Sequence, residues 1–142
     1  MEIAPSATFL RMAKPVKKMG RIFKTALFTK LARKAGIGDA ALCKAILQVM
    51  DGQADDLGGG VFKKRLNENR HRSIILTTGG GHWFYEYLFA KKDRDNIADD
   101  ELDAFRKLAK VYGRATDQQL ELMLKNKDLV EICNDGEAQI QK

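Results

Sequence analysis

The sequence predicts an α+β domain in which a small antiparallel sheet packs against helices, in the order β-α-α-β-β-β-α-α. Three observations carry this. Helical periodicity occupies two blocks, one before and one after the middle of the chain. Between them lie three short runs rich in β-branched and aromatic residues, separated by turn residues. The links among those runs are short, so the strands should form an antiparallel meander.

Residues 1–18 carry both prolines, Pro5 and Pro15, and show no period. They read as a basic disordered tail or a mis-called start, with Met12 and Met19 as alternative starts. The predicted domain covers residues 19–134, with a short C-terminal tail over 135–142. Its first strand is RIFKT. In ALFTKLARKAG, Phe28, Leu31, Ala32 and Ala35 share a helical stripe, and Gly36 is the stop. Asp39 is the expected N-cap of a second helix, with Leu42, Ala45, Ile46 and Val49 on one face. Gly52 takes its C′ position.

The three runs that follow are LGGGVFKKRL, SIILTT and HWFYEYLFAK. Gly79, Gly80 and Gly81 allow positive φ in a hairpin loop between the last two. After them, Asp99, Asp100 and Glu101 load a helix start, and Leu102, Phe105, Leu108, Ala109 and Tyr112 form its apolar stripe. Thr116 to Gln119 fits a capping box for a last helix, with Leu120, Met123 and Leu124 inward. LVEIC can return as a short extended segment.

The 142 residues hold 25 Lys+Arg against 19 Asp+Glu, a formal net charge of +6. The excess sits early, since residues 1–38 have only Glu2 against nine cations. A basic small domain suggests a polyanion, most often nucleic acid. No apolar run is long enough to span a membrane, and no secretory h-region is present. Cys43 and Cys133 are too few for a disulfide framework or a four-cysteine zinc site, and Cys43 reads as a small buried hydrophobe. A reducing cytoplasm is the simplest setting. His71 and His82 are too isolated to claim a metal. Neither Gly-Gly-Gly triplet leads into a P-loop signature.

Strand alternation adds chemistry to the charge. Phe62 and Leu66 face the core, which leaves Lys63 and Arg65 together on the opposite face. Arg72 begins the next strand, with Ile74 and Leu76 on its side. Trp83, Tyr85 and Tyr87 are expected on one face, and Phe84 and Leu88 on the other. One surface then displays Lys63, Arg65, Arg72, Tyr85 or Tyr87, and Lys91 or Arg94 just past the strand end. Cations interleaved with aromatic rings suit RNA.

LGGGVFKKRL, then RSIIL, then WFYEYLFAKKDRDNI, then ELDAFRKLAKVYG resemble the RelE/ParE superfamily, and most nearly its HigB-like toxins of bacterial toxin–antitoxin modules. The resemblance covers about residues 19–134. Relatives often have a longer Gly/Lys-rich link where this chain has NENRHR. The resemblance implies a RelE-like fold and a toxin that cleaves mRNA in the ribosomal A site. It also implies no metal or other cofactor, and neutralisation by a cognate antitoxin, often a helix-turn-helix protein. By motif it assigns Lys63, Arg65, Arg72, Tyr87, Lys91 and Asp93 as catalytic candidates. Lys64, Arg70, Tyr85, Lys92 and Arg94 become RNA-binding candidates.

Those residue types suit cleavage that uses the RNA's own 2′-OH as nucleophile. Arg65 and Arg72 would align and stabilise the phosphoryl group. Lys63 or Lys91 would add charge, with a pKa lowered by neighbouring cations. Tyr87 or Asp93 would serve as general base. Two other classes fit the same residues: a non-catalytic nucleic-acid or protein-binding relative, and a gyrase inhibitor of the ParE type.

Overall fold

The computed structural model describes residues 20–78 and 81–133. The expected tails, and the expected conformations of Gly79 and Gly80, lie outside the described residues. The order is β1 (Ile22–Thr25), α1 (Ala26–Ala35), α2 (Asp39–Met50), β2 (Asp55–Gly58), β3 (Val61–Leu66), β4 (His71–Thr77), β5 (Trp83–Ala90), α3 (Asp99–Gly113), α4 (Asp117–Lys125) and β6 (Leu129–Ile132). It is the expected α+β fold, with two strands more than the predicted order, β2 and β6.

The helices start and stop for local reasons. The Thr25 hydroxyl accepts from the Phe28 N–H at the start of α1, and Gly36 closes it at φ 75°. Gly38, not Asp39, is the N-cap of α2. Asp39 opens the first turn instead, and its carboxylate accepts from Lys24 Nζ at 2.7 Å. The capping box at Thr116 and Gln119 forms as expected.

The run LGGGVFKKRL is two strands, not one. Gly58, Gly59 and Gly60 have φ of 85°, 66° and 86°, a conformation that side chains rarely adopt, and they turn β2 back along β3. A Cβ on Gly60 would lie 2.7 Å from the Thr77 carbonyl oxygen. Arg106 of α3 donates to the Leu57 and Gly58 carbonyls and holds this hairpin to the helix.

The six strands lie in the order β2-β3-β4-β5-β1-β6. β2 to β5 form an antiparallel meander. β1 then lies parallel to β5, and β6 closes the sheet antiparallel to β1. Helices cover both faces. Phe28, Leu42, Ile46 and Val49 of α1 and α2 pack with Ile22, Ile75, Tyr85 and Leu88. On the other face Ala109 of α3 and Leu120 of α4 pack with Phe23, Ile74, Leu76 and Phe84. Phe84 lies between the rings of Phe23 and Tyr112, with centroids at 5.0 and 4.2 Å.

Cys43 is buried, as expected, but it is not a free thiol. It is disulfide-bonded to Cys133, which follows β6, with a Cα–Cα separation of 5.7 Å. Proximity in the fold, invisible at a sequence separation of 90, brings them together.

Candidate nucleic-acid interface

A bulge decides which side chains share a face. The β4–β5 register shifts between Ile74, opposite Tyr87, and Ile75, opposite Tyr85. Glu86 is the extra residue, and the alternation of β5 slips by one there. Trp83, Tyr85 and Leu88 therefore pack toward α1 and α2, while Phe84, Tyr87 and Phe89 pack toward α3 and α4. The expected trio of Trp83, Tyr85 and Tyr87 does not form.

On the α3 face, Arg65 stands opposite Arg72, and Arg72 opposite Phe89. One rung along, Ile74 separates Lys63 from Tyr87. Arg65 is exposed, whereas Arg72 is only 8% exposed. The Arg72 Nη1 group donates to the carbonyls of Asn69 and His71, at 3.0 and 3.2 Å. Among the described residues no carboxylate reaches Arg72. A largely buried guanidinium that meets two carbonyls through Nη1 and no carboxylate is a ready site for an anion.

The Asn69 carbonyl is presented by an unusual turn. Asn67, Glu68 and Asn69, which link β3 to β4, have φ of 56°, 55° and 72°. Such values cost roughly 1 kcal/mol or more for a residue with a side chain, and asparagine tolerates them best. The short NENRHR link thus aims the Asn69 carbonyl at Arg72.

Lys63 and Arg94 meet through Asn96. Lys63 Nζ donates to Asn96 Oδ1 at 3.3 Å, and Arg94 Nε donates to the Asn96 carbonyl at 3.0 Å. Arg94 also pairs with Glu101 and lies over the Phe89 ring, 5.4 Å from its centroid. That pairing holds the Arg94 charge up and the Glu101 carboxyl down, the latter with help from the Ala98 N–H. Arg94 is already neutralised, so it fixes the 91–98 loop over the site. Neither Asn96 nor Phe89 was expected. Phe89 falls on the site face only through the bulge, and Asn96 carries no distinguishing pattern in the loop before the acidic helix start.

Lys91, Lys92 and Asp93 are exposed in the turn after β5. The Lys91 N–H donates to the Arg70 carbonyl, so the turn carrying Arg70 meets this one at the same strand ends. They rim the cluster.

Two expected residues do not join it. Lys64 lies on the opposite face and donates to the Gln53 carbonyl at 3.0 Å. Burial lowers its pKa, with the Arg65 charge adding to the effect. Tyr85 is fully buried and donates from its hydroxyl to the Leu42 carbonyl at 2.7 Å, which leaves no ring face to stack on a base. Burial also pushes its hydroxyl pKa up.

Among the described residues, no helix is long and apolar enough to cross a membrane. A sequence model described as the RelE toxin of the RelE/RelB toxin–antitoxin system matches residues 20–132. That span takes in every element from β1 to β6. No curated protein matches the chain.

Proposed function

Because the chain belongs to the RelE toxin family of toxin–antitoxin systems, we propose that it is a metal-independent endoribonuclease that cuts mRNA, with the α3 face of β3, β4 and β5 as its site. The proposal extends to the HigB-like branch, to action on mRNA in the ribosome within the cytoplasm, and to a helix-turn-helix protein as the antitoxin that the family implies. The observation that carries it is Arg72, a largely buried cation that no carboxylate reaches among the described residues, set opposite Arg65.

The scissile phosphate binds against Arg65 and Arg72, which pair with its two non-bridging oxygens. The 2′-OH of the preceding ribose loses its proton to a base, and its oxygen forms a bond to phosphorus. The bond from phosphorus to the 5′-oxygen breaks, and that oxygen takes up a proton. The products are a 2′,3′-cyclic phosphate and a 5′-hydroxyl. Extra negative charge on the phosphoryl oxygens is met by the two guanidinium groups and by Lys63, and of these Arg72 and Lys63 are already held in place by their carbonyl and amide partners. Tyr87 is the candidate base on the same face, and Asp93 the candidate at the rim.

The test is induced expression of the wild type and of an Arg65→Ala, Arg72→Ala double variant, with mapping of mRNA 5′ ends. New 5′ ends and growth arrest are expected with the wild type alone. Equal cleavage by the double variant would sink the assignment of the site. No cleavage by either would sink the nuclease reading.

A further inference from the structure

β1 pairs with β5 only along Trp83 to Tyr85. The chain then leaves the sheet for α1, so the later part of β5 has no strand on that side. Two cavities open there. One, of about 930 Å³, lies between the end of α1 and the β3–β4 turn. The other, of about 480 Å³, opens onto Tyr87, Phe89 and Arg94 of the site. Lys34, Ala35, His71, Ala90 and Lys92 line both. The two are therefore one groove, which leads from the site around the strand ends to the C-terminal end of α1.

The groove has the chemistry of a nucleic-acid track. With Arg70 paired to Glu68 at 3.4 Å and Arg94 to Glu101, Lys34, Lys91 and Lys92 still outnumber Asp93 and Asp95 along it. His71 lies at the join. Burial and the Arg70 charge lower its pKa, against the nearby Asp93, so the ring is neutral near pH 7. One ring nitrogen, Nδ1, is 3.1 Å from Asn67 Nδ2. A neutral flat ring held by an amide between cations suits a base flanked by phosphates. At the site end the half-buried Tyr87 ring could stack only on an unpaired base.

We infer that this groove carries the single-stranded RNA flanking the scissile phosphate, with Lys34 and Lys92 on backbone phosphates and the His71–Asn67 pair against one base. The inference rests on reading the Arg65–Arg72 face as an RNA site. It adds Lys34, His71 and Asn67, which neither strand pattern nor family motif assigned.

The experiment measures binding of a short fluorescein-labelled single-stranded RNA to the full chain by anisotropy over a range of salt. A Lys34→Ala, Lys92→Ala variant is expected to bind at least five-fold more weakly. Its log–log salt slope should shrink by about 1.4, or ~0.7 for each phosphate of a single strand that is no longer neutralised. A Lys44→Ala, Lys107→Ala variant, which removes the same charge elsewhere, should match the wild type. His71→Ala should keep the salt slope and flatten the preference among homopolymer oligonucleotides. Wild-type affinity and slope in the Lys34/Lys92 variant, equal weakening in the Lys44/Lys107 variant, or no RNA binding by the wild type would each overturn the groove. Weakened binding without cleavage by any variant or the wild type would leave the groove standing and remove the nuclease. Loss of cleavage in the Arg65/Arg72 variant, with unchanged RNA affinity on loss of Lys34 and Lys92, would do the reverse.

Discussion

Arg65 on β3 stands directly opposite Arg72 on β4. Like charges across a ladder destabilise a sheet by roughly 0.2–1 kcal/mol, so the pair opposes folding. Arg65→Thr, which removes the repulsion and favours a strand, is expected to raise the midpoint of thermal unfolding by a few degrees. The same variant should lose about 100-fold or more of RNA cleavage, as when one transition-state donor is removed. Unfolding curves and cleavage rates on one preparation check both halves.

Tyr85 belongs to the core. Tyr85→Phe removes a buried hydrogen bond to the Leu42 carbonyl and is expected to cost about 1 kcal/mol of stability. RNA affinity and cleavage should stay as in the wild type. Weaker RNA binding by a folded Tyr85→Phe variant would return this ring to the site.

Glu86 is half-buried under α3, accepts from the Tyr112 hydroxyl at 3.2 Å, and has its pKa pushed up to about 7 by burial. The folded state therefore holds a proton that the unfolded state releases near 4.5. Its contribution to stability is full below that value and is lost as pH rises through 7. Discounted for partial exposure, the loss is on the order of 1–2 kcal/mol. Glu86→Gln should flatten the fall in unfolding midpoint between pH 5 and pH 8. Parallel profiles for the two proteins would contradict this.

The Cys43–Cys133 bond ties α2 to the end of β6 across 90 residues. In the chain-entropy account, a loop of that size contributes at most about 4–5 kcal/mol. Protein purified without reductant should show neither thiol to a maleimide reagent while native. Reduction, or Cys43→Ser, should lower the unfolding midpoint. Two reactive thiols in native, unreduced protein would rule the bond out.

The helices and the β3–β4 faces were legible because each follows from local rules. Phe28 and Ala32, or Lys63 and Arg65, can be assigned a face by counting, and the chain obeys the count. The sheet beyond β5 was less legible, because β1 pairs with β5 across about sixty residues and no local pattern encodes a parallel partner. Gly58 to Gly60 read as part of a strand, since turn glycines and bulge glycines look alike in sequence. Arg72 could be named, but not its burial or its carbonyl partners, which depend on three left-handed residues in a row. Asn96 reaches Lys63 only because the loop before α3 folds back over the site.

Glu86 also sets a phase. Upstream of it odd-numbered residues of β5 point one way, and downstream they point the other. Any residue type at position 86 preserves that count, and so does its deletion, since Tyr85 and Tyr87 would then be consecutive on the opposite faces they already hold. Strict alternation through Glu86 is what would reverse it. A β5 paired without the bulge would send Tyr87 and Phe89 beneath α1 and turn Leu88 toward the arginines, with every side chain of the site still in the chain. The aromatic half of the site is thus specified by arithmetic as much as by chemistry, and an unbulged β5 with all its cations intact would lack its rings on the face that matters.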